Sequence, residues 1–338
     1  MRIVLCYPAE PQHIARIADV APDAEIVDAG QEHVAEELFD ADVFCGHAKV
    51  PVPWDDIVAR GRLCWIHSTA AGLDHCLVPS VVNSEVHVSS SSGGLADQVA
   101  EQTLALLLGL CRGLPRFFRA QQRREFVRLP TRDLHRATVG ILGLGGNGRK
   151  LAQVLHPFDV RILATDYFPF DCPGEVDALL PPEQTEEVLA QVDILILAAP
   201  LTEQTRGMID ARRLAAMPPG GLLINVARGP MVVENALVDA LESGHLAGAG
   251  VDVTEAEPLP ADSRLWDQPE VIITPHVGGQ SARRIDDSTD LFCDNLHRWL
   301  AERPLLNHVD KQLGFPARRP GDWQHTHGRW LIPASDAK

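Results

Sequence analysis

The sequence lacks the features of a membrane, secreted or metal-binding protein. No apolar run approaches the roughly 20 residues of a membrane span, and the run that follows Met1 is too short for a signal peptide, so we interpret it as a first strand. The 7 cysteines are scattered and include no C-x-x-C pair, which favours reduced thiols used as small core residues. No pair of histidines at metal-ligand spacing has a suitable acid nearby. These absences predict a cytoplasmic protein without a metal site.

Positive charge is also scarce. The 338 residues include 30 Lys and Arg against 46 Asp and Glu, which gives a net charge of −16. An acidic surface repels nucleic acids and anionic membranes, so we expect neither as a partner. A small anion remains compatible, because it responds to local rather than global charge. The length predicts two domains, each large enough to bury a core.

One stretch has the pattern of a strand, a glycine-rich turn and a helix. The apolar run 139–142 is followed by G-x-G-x-x-G at Gly143, Gly145 and Gly148, and apolar residues then recur at helical spacing over 151–155. The glycines permit a tight turn, a close approach of the backbone to a pyrophosphate, and close packing of helix and strand. The pattern therefore predicts a dinucleotide at the N-terminus of this helix. The residues between the glycines, which belong to the same predicted site, are Leu144, Gly146 and Asn147.

A second strand, 160–165, ends in Asp166. This residue lies 23 positions after Gly143, near the roughly 20 expected for an acid that binds the ribose. The alternative interpretation is an aspartate that only begins the loop after a strand. An acid at this position favours NAD, because its charge would repel the 2′-phosphate of NADP.

Short strands and helices alternate over 1–95 and again after Asp166, which predicts an α/β fold with doubly wound parallel sheets. Ligands of such sheets bind outside the carboxyl ends of the strands. One strand runs into a turn of small residues, which is either an anion cradle of backbone N–H groups or an ordinary connection to a helix. The residues of this turn are Ser68, Thr69, Ala70, Ala71 and Gly72. We expect 89–94 to cap the helix that starts near Asp97, and 112–136 to form a basic, solvated connection.

Three polar residues follow the ends of three successive predicted strands: Arg228, Glu257 and His276. An arginine can hold a carboxylate in a bidentate clamp, and a histidine beside a carboxylate is a positioned general acid–base. With a nicotinamide as hydride carrier, the set describes hydride transfer at C2 of a 2-hydroxy acid. Taken singly, each residue is as readily explained as a surface arginine, a solvated loop acid or a capping histidine.

The sequence resembles the D-isomer-specific 2-hydroxyacid dehydrogenases from about residue 40 to Phe315. The segments that carry the resemblance are 138–145, Pro200-Leu-Thr, Ile224-Asn-Val-Ala-Arg-Gly, Gly250-Val-Asp-Val, Glu257-Pro-Leu and Thr274-Pro-His, with Gly72-Leu-Asp and Val99-Ala-Glu. The resemblance implies two Rossmann-like domains, with the NAD-binding domain (104–284) inserted in the substrate domain (1–103 and 285–338). It also implies a homodimer, the catalytic roles given above for the three polar residues, and a substrate contact for the turn 68–72. Further cofactor contacts are implied for Pro200, Thr205, Ala227, Arg228, Asp252, His276 and Gly278.

Departures from the family pattern reduce the number of reactions that we expect of this chain. Phosphite-oxidising members have a lysine where this chain has Ala71, and formate-oxidising members have a glutamine where it has Glu257, so a hydroxy acid such as that formed from glyoxylate or hydroxypyruvate is expected. Asn147 stands where the family often has Ile or Val, which changes the packing beneath the pyrophosphate. An alternative function is an NAD(H)-sensing interaction protein like the corepressors related to this family, which keep similar catalytic residues. The tail 316–338 holds Trp323 and Trp330, and we expect it to pack either on the protein's own body or on a partner subunit.

Overall fold

The computed structural model describes residues 1–318, 324–326 and 329–332. It divides the chain into two compact units, the first formed by 1–95 and 281–338 and the second by 96–280. The bounds expected from the sequence differ from these because the helix Ala96–Cys111 lies as a whole in the second unit, where it packs against the strands of that unit's sheet.

The first unit contains a parallel sheet of five strands, which results from the alternating strands and helices of its sequence. The strands are β1 (Arg2–Cys6), β2 (Glu25–Asp28), β3 (Val43–Gly46), β4 (Trp65–Ser68) and β5 (His87–Ser90), and the helices α1 (Pro11–Val20), α2 (Gly30–Glu37), α3 (Trp54–Arg60) and α4 (Pro79–Val82). The strand order is β2-β1-β3-β4-β5. Alternate residues of a strand face opposite sides of the sheet, so Phe44 and Ile66 belong to one apolar cluster, and Val43 and Trp65 to another.

The second unit contains a parallel sheet of seven strands. Its helices are α5 (Ala96–Cys111), α6 (Leu114–Gln122), α7 (Gly146–Leu155), α8 (Thr185–Leu189), α9 (Ala211–Ala216) and α10 (Glu234–Glu242), and its strands are β6 (Thr138–Leu142), β7 (Arg161–Thr165), β8 (Ala178–Leu180), β9 (Ile194–Leu197), β10 (Gly221–Asn225), β11 (Leu246–Val251) and β12 (Val271–Ile273). The strand order across the sheet is β12-β11-β10-β9-β6-β7-β8, so the strand numbers fall as far as β6 and then rise, while all strands remain parallel. Both faces are buried, which explains why strands such as Ile194–Leu197 are apolar throughout.

The chain then returns to the first unit through α11 (Arg284–Leu300), which packs against α1. The short strands β13 (Val309–Asp310), β14 (Phe315–Pro316), β15 (Gln324–Thr326) and β16 (Arg329–Leu331) follow. Leu331 and Ile332 are buried, and the N–H of Asn307 donates a hydrogen bond to the carbonyl of Ile332 at 2.9 Å. This part of the tail therefore packs on the protein's own body, as expected, whereas Trp323 and the side chain of Trp330 lie outside the described residues.

Two local expectations were wrong. Ser89 and Ser90 belong to β5 instead of a helix cap, and Ser89 is buried because its hydroxyl satisfies two ring nitrogens, Nε1 of Trp65 and Nδ1 of His67. Two of the cysteines expected as core residues, Cys64 and Cys172, are exposed. The connection 112–136 is largely exposed, as expected, and it contains the helix α6. In the described residues, no helix is long and apolar enough to cross a membrane.

Candidate active site

The glycine-rich turn lies between β6 and α7, and each of its glycines has a distinct environment. Gly143 has φ 98°, and a Cβ there would lie 2.5 Å from the backbone of Ala199. A Cβ at Gly148 would lie 2.1 Å from the carbonyl oxygen of Gly143, whereas a Cβ at Gly145 would meet nothing within 4 Å. Two glycines are thus required by packing, and the third leaves open space at the start of α7, where unpaired N–H groups favour an anion. These residues fit the pyrophosphate of a dinucleotide.

Asp166 follows β7 and is linked to the same turn. Its carboxylate accepts hydrogen bonds from the N–H of Leu144 at 2.7 Å and of Phe168 at 2.8 Å, and the residue is 8% exposed. A carboxylate has about four acceptor positions, so it can accept from ribose hydroxyls as well as from backbone N–H groups. The contacts fix the carboxylate beside the glycine turn, as a ribose-binding acid requires.

The loop after β9 is held by its own hydroxyl groups. Thr205 Oγ1 donates to the carbonyl of Pro200 at 2.8 Å and accepts from the N–H of Thr202 at 2.8 Å. In the described structure, the hydroxyl of Thr205 therefore shapes the loop that begins at Pro200. Asn147 lies in the first turn of α7 and is half-buried.

Arg228 follows β10 in a loop that Asn225 fixes. The Asn225 side chain, which is 1% exposed, donates to the carbonyl of Arg228 at 3.1 Å and accepts from the N–H of Ala227 at 3.1 Å. The half-buried Arg228 guanidinium donates to the carbonyl of Ala227 at 2.8 Å. Gly229 is required next, because a Cβ there would lie 1.7 Å from the carbonyl oxygen of Thr254 in the following loop.

Glu257 and His276 meet, although 19 positions separate them in sequence. The Glu257 carboxylate lies 2.8 Å from His276 Nδ1, and its other oxygen accepts from the N–H of Thr254 at 3.3 Å. A carboxylate only accepts, so Nδ1 carries the proton. Both side chains are partly open to solvent, with exposed fractions of 46% for His276 and 40% for Glu257. The second ring nitrogen, Nε2, bonds to no other described residue, which leaves it available for proton exchange with a ligand.

Strand order explains how these loops come together. β10, β11 and β12 are adjacent and parallel, so the loops that carry Arg228, Glu257 and His276 leave the same edge of the sheet. The glycine turn after β6 and Asp166 after β7 leave that edge too. Asp252, at the end of β11, is 2% exposed, and its carboxylate accepts from the N–H of Gly278 at 2.8 Å. Candidate cofactor and proton-transfer residues are therefore on one edge of one sheet.

The turn 68–72 belongs to the first unit, and its serine and threonine face inward. Ser68 Oγ donates to the carbonyl of Ala70 and accepts from its N–H, both at 3.2 Å, and Thr69 is 4% exposed. In the described part of the chain, the backbone N–H groups of Ala71 and Gly72 donate to no protein acceptor. An anion at this turn would therefore be bound by those two N–H groups, not by the hydroxyls of Ser68 and Thr69.

Sequence reasoning missed the residues that hold the site in shape. Asn225 and Gly229 are in the segment Ile224-Asn-Val-Ala-Arg-Gly, but no spacing rule links them to the loops that they contact. Gln102 and Thr274 are bonded to each other at 2.8 Å across 172 positions. A signal for Gly229 was available, because a glycine directly after a candidate functional residue marks a close backbone approach.

Comparison with known proteins places the chain in one family. Residues 104–278 match the model of the D-isomer specific 2-hydroxyacid dehydrogenase, NAD binding domain. (S)-sulfolactate dehydrogenase of Chromohalobacter salexigens is 36% identical over 255 residues, which cover 73% of this chain and 79% of that protein. The NADPH-dependent glyoxylate/hydroxypyruvate reductase of Sinorhizobium meliloti, solved with NADP and sulfate, has a TM-score of 0.80 and 26% identity over 93% of this chain and 99% of its own. The NAD-dependent formate dehydrogenase of Staphylococcus aureus, solved with NAD, has a TM-score of 0.73 and 26% identity over 92% and 98%. The chain belongs to the D-isomer specific 2-hydroxyacid dehydrogenase family.

Proposed function

We propose that this protein transfers a hydride between NAD(H) and C2 of a small D-2-hydroxy acid or its 2-oxo acid. The observation that carries the proposal is the 2.8 Å contact between His276 and Glu257, on the sheet edge that also bears the glycine turn. Formate oxidation moves no hydroxyl proton, whereas reduction of a 2-oxo acid needs a proton donor. A histidine held by a carboxylate supplies that function.

In this proposal each residue has one task. Arg228 binds the substrate carboxylate through its planar guanidinium. His276 gives a proton from Nε2 to the C2 oxygen during reduction and takes it back during oxidation. Glu257 holds Nδ1 and stabilises the imidazolium. The bound nicotinamide gives or takes the hydride.

We assign the cofactor to the second unit and a substrate contact to the first. Leu144, Gly146, Asn147 and the three motif glycines form the pyrophosphate cradle, with the loop from Pro200, Ala227, Asp252 and Gly278 around it. In the first unit, the free N–H groups of Ala71 and Gly72 support a role in binding a substrate anion. Ser68, Thr69 and Ala70 keep this turn in shape.

We also propose that NAD is preferred over NADP. Family structures with either cofactor are known, so this chain's own residues must decide. The Asp166 carboxylate is buried and accepts hydrogen bonds from the backbone N–H groups of Leu144 and Phe168. A 2′-phosphate would add negative charge beside it, whereas two ribose hydroxyls can donate to it.

A homodimer is the proposed assembly. Residues 112–136 contain eight arginines and two acids, a net charge of +6, and the rest of the chain therefore carries −22. Phe118 is 57% exposed and Phe126 is 99% exposed in this segment. An apolar and basic surface on an acidic protein fits a second copy. Sedimentation analysis should give a dimer, and a double Phe118→Ser, Phe126→Ser variant should be monomeric; an unchanged mass would reject this surface as the interface.

The test of the activity is NADH consumption with a panel of 2-oxo acids. The panel contains glyoxylate, hydroxypyruvate and sulfopyruvate, and chiral chromatography identifies the product isomer for the last two, since the glycolate formed from glyoxylate is achiral. We expect turnover with at least one of them, and a loss of roughly 10²–10⁴-fold in His276→Gln. NADH binding without turnover on the whole panel would favour the NAD(H)-sensing alternative and reject the proposed function.

A further inference from the structure

We infer that Gln102 and Thr274 are positioning residues that hold His276 in its working orientation through the buried carboxylate of Asp252. The inference rests on the proposed role of His276 as proton donor. Neither residue reaches His276 itself, so the argument concerns how the loop 274–278 is fixed.

Asp252 is a buried acid held by neutral donors. It is 2% exposed, and no cationic side chain pairs with it in the described ranges. One carboxylate oxygen accepts from Thr274 Oγ1 at 2.6 Å and from the N–H of Val277 at 3.0 Å, and the other accepts from the N–H of Gly278 at 2.8 Å. A buried carboxylate without a cation depends on such hydrogen bonds, so the loss of a donor disturbs the whole arrangement.

The loop around this carboxylate has an uncommon backbone. His276 has φ 53°, in the left-handed region that residues other than glycine rarely adopt. Its N–H donates to the Asp252 carbonyl at 2.7 Å, and the next two N–H groups donate to the Asp252 carboxylate. Such a left-handed residue makes successive N–H groups converge into a concavity that binds an anion. Here the anion is the protein's own carboxylate, and it keeps His276 in this conformation.

Gln102 completes the arrangement from α5. Its Nε2 donates to Thr274 Oγ1 at 2.8 Å, so the threonine hydroxyl hydrogen is directed to Asp252. The adjacent Thr103 is fully buried and Leu106 is 2% exposed, so Gln102 projects from a firmly packed part of the helix. Gln102 Nε2 also donates to the same Asp252 oxygen at 3.4 Å. The hydrogen bonds therefore run from a rigid helix to the carboxylate that shapes the His276 loop, both directly from Gln102 and through Thr274.

A small displacement of His276 should affect the chemical step more than cofactor binding. A misplacement of about 1 Å can cost about 10²-fold in rate. We expect kcat to fall about tenfold in Thr274→Val, which keeps the side-chain shape and removes the hydroxyl. Gln102→Met should lower kcat less, because Thr274 can still donate. The KM for NADH should stay within about twofold in both.

Two matched variants separate positioning from general loss of structure. Thr274→Ser restores the hydroxyl and should recover kcat. Thr103→Val removes a buried hydroxyl whose bond, to the carbonyl of Val99 at 2.7 Å, stays within α5; its kcat should be unchanged. Equal kcat in Thr274→Val and the wild type would overturn the inference, as would a Thr274→Ser variant that is as slow as Thr274→Val.

A measurement without turnover keeps this test independent of the proposed function. The Nδ1 proton of His276, bonded to Glu257, should give a downfield proton NMR signal, which is assigned by its loss in His276→Gln. The signal should weaken or shift in Thr274→Val and persist in Thr274→Ser and Thr103→Val. If the variants show this pattern but the wild-type protein reduces no 2-oxo acid, the proposed function fails and the positioning role stands. An unchanged signal in Thr274→Val rejects the positioning role.

Discussion

The pairing of Glu257 with His276 predicts a pH profile that one substitution should move. In the proposed reaction, reduction of a 2-oxo acid consumes a proton from His276, so its rate should be constant at low pH and fall as the imidazolium loses its proton. Oxidation needs the neutral imidazole and should rise over the same range. Glu257→Gln removes the charge that stabilises the imidazolium but can keep a hydrogen bond, so the falling limb of reduction should move to lower pH.

The structure sets the size of this movement. The two groups are in contact at 2.8 Å, but both side chains are more than a third exposed, so solvent screens their attraction. At a separation of about 4 Å between charges, an effective dielectric constant of about 40–80 gives about 1–2 kcal/mol. Because about 1.4 kcal/mol is a factor of ten in rate, the Glu257→Gln enzyme should reduce the 2-oxo acid roughly tenfold more slowly than the wild type on the falling limb. On the acidic side of the limb, the two enzymes should differ by only a few-fold.

The assay is kcat and kcat/KM for 2-oxo acid reduction across pH 5–10, with deuterated NADH to verify that hydride transfer limits the rate. Glu255→Gln is the matched control, since Glu255 accepts the N–H of Glu234 at 3.1 Å instead of facing the imidazole. In that variant, the falling limb of the reduction profile should lie at the same pH as in the wild type. If the limb stays in place in Glu257→Gln while hydride transfer is rate-limiting, the carboxylate does not tune His276 and the proposed pairing is wrong.

Three further predictions test other residues. Arg228→Lys keeps the charge but loses the planar fork, so kcat/KM for the 2-oxo acid should fall at least tenfold, about 1.4 kcal/mol; near-normal kcat/KM would mean that the carboxylate is held elsewhere. Asp166→Ser should lower the ratio of kcat/KM for NADH to kcat/KM for NADPH. A wild-type preference for NADPH would contradict the role of Asp166. Burial lowers the pKa of His67 to about 3, so protonation of the unfolded chain below about pH 6.5 reduces the free energy of unfolding, by about 2 kcal/mol at pH 5. Urea unfolding at pH 5 and 7.5 should show a loss about 2 kcal/mol smaller in His67→Gln than in the wild type, since His308, whose pKa burial also lowers, contributes in both; equal losses would reject the assignment.

From the sequence we could predict which residues lie along the carboxyl edge of the sheet, because that placement depends on local rules. Alternating strands and helices with right-handed crossovers fix parallel strands, and parallel strands send all their following loops to one edge. The three polar residues at the ends of β10, β11 and β12 therefore had to leave the same edge. Their spacing did not give the distance between Glu257 and His276, which depends on the path of both loops.

The supporting contacts were not predictable because they join distant positions through unremarkable residues. Ser89 lies in a serine-rich run with weak strand propensity, and only the ring nitrogens of Trp65 and His67 make it a good buried residue. Gln102 lies on a helix with a broad apolar stripe, where a single polar residue is usually solvated. Its partner Thr274 is 172 positions away. Periodicity describes which face of an element is buried, but it contains no information on which side-chain atoms meet there.

His276 illustrates where sequence rules fail for a functional reason. Glycine is the residue most common at a left-handed position, although histidine adopts it more often than most others, so the sequence at residue 276 does not predict the conformation that the structure has. The surroundings must compensate for that strain, and the bonds from the backbone of residues 276–278 to Asp252 are the compensation. A residue that breaks a local rule while a buried network supports it is what a catalytic side chain requires, because its chemistry fixes its identity and its neighbours must then fix its backbone.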